Sequence, residues 1–289
     1  MLPDELQLND TQYIPFPELG SGSQFHAYNL HNGRVLKLPL TKQETAVVVA
    51  KRRHNMMPLT KEQQASVETR VQTIVGGKGR IPAMVTHALY DPKPFLALLG
   101  NPILLDADAV LPADTDDKGW GVGRVAYTQD HLMMVGSLLQ DLAKLPRLKR
   151  GDIARLKAII DQYAEGMYQL WSYGVSDYVF KLGDTGLNKE NTLTFADLGE
   201  FSSDGEYMRS ILKDRRWLHS VDPTKIDFPQ IPKELQEYYT KTLDNAFTEK
   251  AFTEHWRSKH VCSSCRPAGD VISTFIAAKV AEIDYVDRW

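Results

Sequence analysis

Two aspartates, Asp184 and Asp197, bracket a stretch that reads DTGLNKENTLTFADLGE over residues 184–200. Two short apolar runs, 185–188 and 192–196, are separated by Lys189, Glu190 and Asn191, residue types that suit a hairpin turn. A hairpin brings its two ends together, and with them the two carboxylates. Paired carboxylates are hard oxygen donors of the kind Mg²⁺ takes. Gly199 permits a sharp change of chain direction just after Asp197. A surface hairpin with ordinary acidic ends is the simpler alternative.

The elements upstream decide whether such a pair has company. Residues 18–40 read as strand, Gly-rich turn, strand, tight turn at Asn32 and Gly33, and strand. Gly20 and Gly22, with Ser21 between them, leave room for backbone amides to approach phosphate oxygens. Phe25 is placed to cap that turn. Lys37 follows Val35 and Leu36 on the third strand. A helix is expected over 41–56, with Thr41 and Glu44 as a capping box, and a second from Thr60 and Gln63 to about Val75. Apolar runs at 83–90 and 95–105 read as strands of the same sheet, and 123–128 as a further strand. A helix over 132–145 is closed by Pro146. The clearest helix spans 152–173, with Ile153, Leu156, Ile160, Tyr163, Met167, Leu170 and Trp171 on one face, Asp152 at its N-cap and Gly174 beyond its end. Later helices are expected at about 233–256 and 270–283.

The order of these parts resembles that of protein-kinase-like enzymes, in an atypical bacterial-type form. There a metal-binding Asn precedes the D-F-G Asp by thirteen residues, and Asp184 precedes Asp197 by thirteen, in D-L-G. Lys37 resembles the V-A-I-K lysine. The resemblance covers about residues 18–200. It implies an α+β, two-lobed protein-kinase-like fold with a β-rich N-lobe over 1–126, a hinge at 127–131 and a mainly helical C-lobe over 132–289. It also implies ATP and Mg²⁺ between the lobes and an unidentified hydroxyl acceptor, protein or small molecule.

Residue by residue, the resemblance gives Gly20, Ser21 and Gly22 the phosphates to cover and Lys37 the α- and β-phosphates to hold. Glu68 on the second helix is the first choice to pair with Lys37, ahead of Glu44 and Glu62. The hinge, Gln129 included, offers groups to adenine. Asp184 and Asp197 hold Mg²⁺. No literal H-R-D is present. Asp177 is the candidate to orient or deprotonate the acceptor hydroxyl, seven residues before Asp184 where the usual spacing is five. Lys181 neutralises the transferring phosphoryl group. A turn-capping Asp177 and a solvated Lys181 are the alternatives. No A-P-E follows Asp197. Besides phosphotransfer, two other functions fit these parts: a nucleotide-binding pseudokinase that serves as a binding module, and a nucleotidyltransferase.

Bulk composition narrows the classes further. The 289 residues are 43% hydrophobic and 25% charged, ordinary for a globular protein. A formal net charge of −3 gives no reason to expect a nucleic-acid partner. No apolar run approaches the ~20 residues of a membrane span, so no membrane is expected. The acidic first ten residues do not read as a signal peptide, and two cysteines make no disulfide scaffold. A cytoplasmic location follows as the expectation. Lys213, Arg215 and Arg216 form a basic cluster that reads as a solvated helix face. Cys262 and Cys265 have C-x-x-C spacing with His255 and His260 nearby. Zinc is one reading of that spacing, and two reduced thiols between helices is the preferred one.

Overall fold

The computed structural model describes residues 6–7, 13–14, 16–21, 24–54, 59–75, 94–105, 125–221 and 232–256. They fall into two compact units, a β-rich N-terminal one and a mainly helical C-terminal one. Gly22, residues 83–90, His260, Cys262, Cys265 and the helix expected at 270–283 lie outside the described residues.

In the first unit, β1 (Leu6–Gln7) pairs with β2 (Tyr13–Ile14). β3 (Glu18–Ser21), β4 (Phe25–Asn29), β5 (Arg34–Pro39), β6 (Ile103–Leu105) and β7 (Ala126–Asp130) form an antiparallel sheet in the order β3-β4-β5-β7-β6. The turn between β4 and β5 uses the residues the sequence offers. Asn29 Oδ1 accepts from the His31 N–H and Asn32 Oδ1 from the Arg34 N–H, while Gly33 takes a φ of 80°. Leu36, Leu38 and Ala126 are buried on one sheet face, with Tyr28, Leu30 and Leu105 packed against them. On the other face Phe25 meets Tyr127 edge-on at 5.3 Å. Phe25 is buried there, while residues 22–23 of the turn it is expected to cap lie outside the described residues.

Both upstream helices start where the capping boxes place them. In α1 (Lys42–His54) the Thr41 N–H donates to Glu44 Oε2 at 2.8 Å and the Glu44 N–H to Thr41 Oγ1 at 3.1 Å. In α2 (Lys61–Val75) Thr60 and Gln63 repeat the pattern. The 95–105 run is not one strand. Pro94–Leu98 is a short helix, α3, in the second unit, and only Ile103–Leu105 joins the sheet. Proline suits the first helical position, and Gly100 and Asn101 leave the helix at φ of 71° and 48°. Tyr127 to Asp130 belong to β7, so the segment expected as a hinge is mostly strand. Arg34 anchors its end, donating to Asp130 Oδ1 and Thr128 Oγ1 at 2.8 Å each.

The second unit begins at Leu132 on that part of the chain. β8 (Met133–Met134) precedes α4 (Val135–Ala143), so the helix starts three residues later than expected, because Met133 and Met134 are drawn into a ladder with Leu187 and Gly186. α5 (Arg150–Ser172) is the central helix. Asp152 is not its N-cap. It lies in the first turn and accepts from the Lys149 N–H at 2.9 Å, the second half of a capping box. Gly174 ends the helix at φ 71°. The buried face holds the expected Leu156, Ile160, Tyr163, Met167, Leu170 and Trp171, while Ile153 is only partly buried.

β9 (Ser176–Asp177), β10 (Thr185–Leu187), β11 (Leu193–Phe195) and β12 (Phe201–Ser202) follow, then α6 (Gly205–Lys213). The helix expected over 233–256 is two, α7 (Lys233–Ala246) and α8 (Glu249–His255). Phe247 breaks the run by entering the core beside Trp171, Phe180 and Trp217, and Thr248 caps the new helix through the Ala251 N–H. Arg215 of the basic cluster pairs with Asp244 on α7 rather than standing solvated.

β10 is held between β8 and β11. A Cβ added to Gly186 would stand 2.5 Å from Leu132 Cβ. Gly186→Ala should therefore cost about 1–3 kcal/mol by overpacking, read as a lowered urea midpoint with unchanged slope.

Candidate functional site

The hairpin is built as the sequence lays it out. Thr185 pairs with Phe195, Gly186 with Thr194 and Leu187 with Leu193. Asn188 makes the turn: its Oδ1 accepts from the Glu190 and Thr192 N–H groups at 3.0 and 2.9 Å, and Asn191 takes φ 59°. Gly166 of α5 lies under the hairpin, where a Cβ would stand 3.0 Å from the Phe195 ring. Asp184 closes a 3-10 turn (Leu182–Asp184) just before β10, and Asp197 opens another (Leu198–Glu200) just after β11. The first turn is pressed on α4, with a Cβ on Gly136 falling 2.8 Å from the Gly183 carbonyl oxygen. The carboxylates are thus fixed by one hairpin and by packing on two helices.

Lys181 Nζ lies 3.1 Å from Asp184 Oδ1. Asp197 accepts from the Gly199 N–H on Oδ1 at 3.1 Å, and among the described residues Oδ2 has no hydrogen-bond partner. Asp184 and Asp197 both push the Asp177 and Glu200 carboxyls upward, so the four acids share one electrostatic neighbourhood. Two carboxylates suit Mg²⁺, which keeps several of its waters and binds through one or two protein acids. Among the described residues no group of three or more His, Cys, Asp or Glu is placed to hold a metal.

Asp177 is buried, and its side chain faces the protein. Oδ1 accepts from the Val179 N–H at 2.8 Å and the Phe180 N–H at 3.3 Å, and the Tyr163 hydroxyl stands 3.5 Å from Oδ2. These bonds hold a loop in which Phe180, fully buried, sits at φ 55°. A bulky residue in the left-handed region persists only where its surroundings impose it. Burial first, then the charges of Asp184 and Asp197, push the Asp177 carboxyl up to about 7 against the pull of the two N–H donors. Burial and the neighbouring Asp177 charge likewise hold the Tyr163 phenol well above its ordinary value. The residue five before Asp184 is Val179, which has no acid to offer.

The spacing along the chain gives Glu200 no role, as it is simply an acid three places after Asp197. It is partly buried, and its carboxyl is raised well above the ordinary range by burial, then by Asp197, Asp184 and Asp177, with Lys181 opposing.

No family model matches this chain, and no curated protein matches it. Solved structures do. The chain is similar to the ROP18 kinase domain in complex with AMP-PNP and sucrose, at 12% identity and a TM-score of 0.42, over 92% of this chain and 82% of that one. It is similar to WbdD bound to a kinase inhibitor, at 12% identity and a TM-score of 0.41, over 95% of this chain and 52% of that one. A further WbdD structure, described as a bifunctional kinase-methyltransferase, matches at 12% identity and a TM-score of 0.37, over 96% of this chain and 54% of that one. The chain spans about half the length of WbdD.

The other sequence candidates lie in the first unit. Lys37 is on β5, partly buried, in register with Ala27 of β4 and Tyr127 of β7. Gly20 and Ser21 end β3 opposite Ala27 and His26. Gln129 is a buried β7 residue opposite Val35, and its side-chain Oε1 finds no hydrogen-bond partner among the described residues. Glu68 is exposed on α2, next to the buried Val67, while Glu44 is occupied in its capping box. His255 stacks on Tyr168 at 4.3 Å. Among the described residues no helix is long and apolar enough to cross a membrane.

Proposed function

We propose that the protein is an ATP-dependent phosphotransferase of protein-kinase-like type that passes the γ-phosphoryl group to a hydroxyl acceptor. The observation that carries this reading is the hairpin of the second unit, which fixes Asp184 and Asp197 at its two ends with Lys181 paired to Asp184. In this reading Asp184 and Asp197 hold Mg²⁺, whose positive charge offsets that of the phosphates when bound. Lys181 faces the transferring group. Gly20, Ser21 and Gly22 supply backbone amides to the phosphates, Lys37 a cation for the α- and β-phosphates, and Gln129 a polar group beside the base. Glu68 is the proposed partner of Lys37.

A nucleotide-binding module without transfer is the second reading. It is favoured by the inward-facing Asp177 carboxylate and by the apolar Val179.

The test is thermal unfolding with and without Mg²⁺-ATP, on wild type and Lys37→Ala. A ligand at 100 times its Kd adds about 2.7 kcal/mol to the native state. A lost charge-assisted hydrogen bond is worth about 1.5–3 kcal/mol, so Lys37→Ala should weaken binding roughly 10–100-fold. No stabilisation of the wild type at millimolar Mg²⁺-ATP would sink both readings. Stabilisation without phosphoryl product over protein and small-molecule acceptors would select the second.

A further inference from the structure

His26 lies on β4, in register with Ser21 at the end of β3 and with Leu38 of β5. Its imidazole is mostly buried, with 14% of the side chain exposed, and it stands between two carboxylates from different elements. Nδ1 lies 2.9 Å from Oε1 of Glu18 on β3, and Nε2 lies 3.7 Å from Oε1 of Glu44 in the first turn of α1. Glu44 divides its oxygens. Oε2 accepts from the Thr41 N–H and hydroxyl in the capping box, while Oε1 faces the ring. Tyr28, two residues on along the same strand face, has its ring 6.2 Å from that of His26. Burial first, then the Glu18 and Glu44 charges, push the Tyr28 phenol up to about 12, so both carboxylates act on this one spot. From β5 the neighbour is the apolar Leu38.

A neutral imidazole has one N–H. If that N–H goes to Glu18, the lone pair of Nε2 faces the second carboxylate, and among the described residues the buried Nε2 has no hydrogen-bond partner. An imidazolium has two N–H groups and sets one positive charge between two negative ones. The charged ring thus joins β3 to the start of α1, whereas the neutral ring holds one side only. The join sits where β3 needs it. The β3–β4 register shifts between Glu18 and Gly20, with Leu19 exposed between them. Such a shift disrupts the ladder locally. The Glu18–His26 contact spans it, directly before Gly20 and Ser21.

We propose that His26 is a positioning residue for the Gly-rich turn, and that its protonated ring, clamped between Glu18 and Glu44, holds Gly20 and Ser21 for the nucleotide phosphates. The inference rests on the nucleotide-binding reading, with or without transfer. Histidine ordinarily changes charge between about pH 5 and 8. The clamp is complete at the acid end of that range and is lost as pH rises, so Mg²⁺-ATP affinity falls with it.

The experiment is calorimetric titration of the full chain with Mg²⁺-ATP at pH 6 and pH 8, on wild type, His26→Gln and Glu44→Gln. Glutamine is neutral throughout, and at position 44 it still completes the capping box. ATP and other acids of the protein titrate as well, so the readout is the ratio of Kd at pH 8 to Kd at pH 6 in wild type against the same ratio in each variant. Couplings between sites are typically about 5–150-fold, and a clamp with one partner as exposed as Glu18 belongs at the low end. The wild-type ratio should exceed that of both variants by about 5-fold, because the variants lose affinity at pH 6 and not at pH 8. Thermal unfolding without nucleotide shows whether each variant is folded, and Glu44→Gln carries the comparison should His26→Gln fail to fold. A merely structural histidine would lower the unfolding midpoint and leave the ratio as in wild type. That result would overturn the assignment and leave nucleotide binding standing. Wild type without binding at either pH would overturn it together with the reading on which it rests.

Discussion

If the proposed phosphotransferase reading holds, Asp197→Ala should abolish phosphoryl transfer and the Mg²⁺-dependent part of nucleotide binding, while the second unit stays folded. In that reading Asp197 would serve two separable roles. Oδ1 accepts from the Gly199 N–H and so caps the turn at Leu198–Glu200. Oδ2 has no hydrogen-bond partner among the described residues and, in the proposed reading, would take the cation. Loss of such a cap costs about 1 kcal/mol, too little to unfold a domain of ordinary stability. Loss of a metal ligand removes charge compensation at the transferring phosphoryl group, worth several kcal/mol, so the rate should drop by about 10³-fold or more. Asp197→Asn separates the two roles. Its amide oxygen still accepts from Gly199, so the cap survives, but the charge is gone. Both variants should lose Mg²⁺-ATP stabilisation in thermal unfolding, and only the alanine should show a lowered midpoint without nucleotide. Full transfer by either one would show that Asp197 holds no essential metal.

Asp177→Asn makes the protein more stable at pH 8 and flattens its dependence of stability on pH. The Asp177 carboxyl is raised from 3.8 to about 7. The folded state therefore holds this proton more tightly than the unfolded chain does. Between those two values the native state is protonated and the unfolded state is not, so stability falls as pH rises. The contribution is complete below pH ~4 and lost by pH ~7, and amounts to at most about 4 kcal/mol. Asparagine carries no charge to bury. Its Oδ1 can still accept from the Val179 and Phe180 N–H groups, and its amide can donate to the Tyr163 hydroxyl. Some slope should remain, because Glu200 is raised by the same causes. Denaturant unfolding at pH 5 and pH 8 measures it. An Asp177→Asn protein with the wild-type slope would mean that Asp177 is already ionised in the fold.

Local chemistry made much of the architecture legible. Both upstream capping boxes, the turn after β4, the 184–197 hairpin and the Gly174 stop depend on hydrogen bonds within a few residues, and these form much as their residue types dictate. The expectations that failed were decided at long range. Met133 and Met134 have the apolar pattern of a helix start, yet β10 recruits them as a strand, pairing Met134 with Gly186 and Met133 with Leu187, 52 and 54 positions along the chain. Phe247 looks like one more helical residue until the ring cluster of Trp171, Phe180 and Trp217 is in place around it. The apolar 95–105 run is divided because two different units take its halves.

The same division runs through the site. The sequence by itself determined which acids exist, that Asp184 and Asp197 stand at the ends of one hairpin, and that Lys37 lies on a strand after a Gly-rich turn. Only the tertiary structure decided what each acid has left to offer. Asp177, the sequence candidate for the base, is turned inward by two backbone N–H groups, and the Glu200 carboxylate has no hydrogen-bond partner among the described residues, beside three other acids. The physical reason is that a carboxylate's availability depends on its partners and its burial. Both are set by segments far apart in the chain, which no spacing along it records.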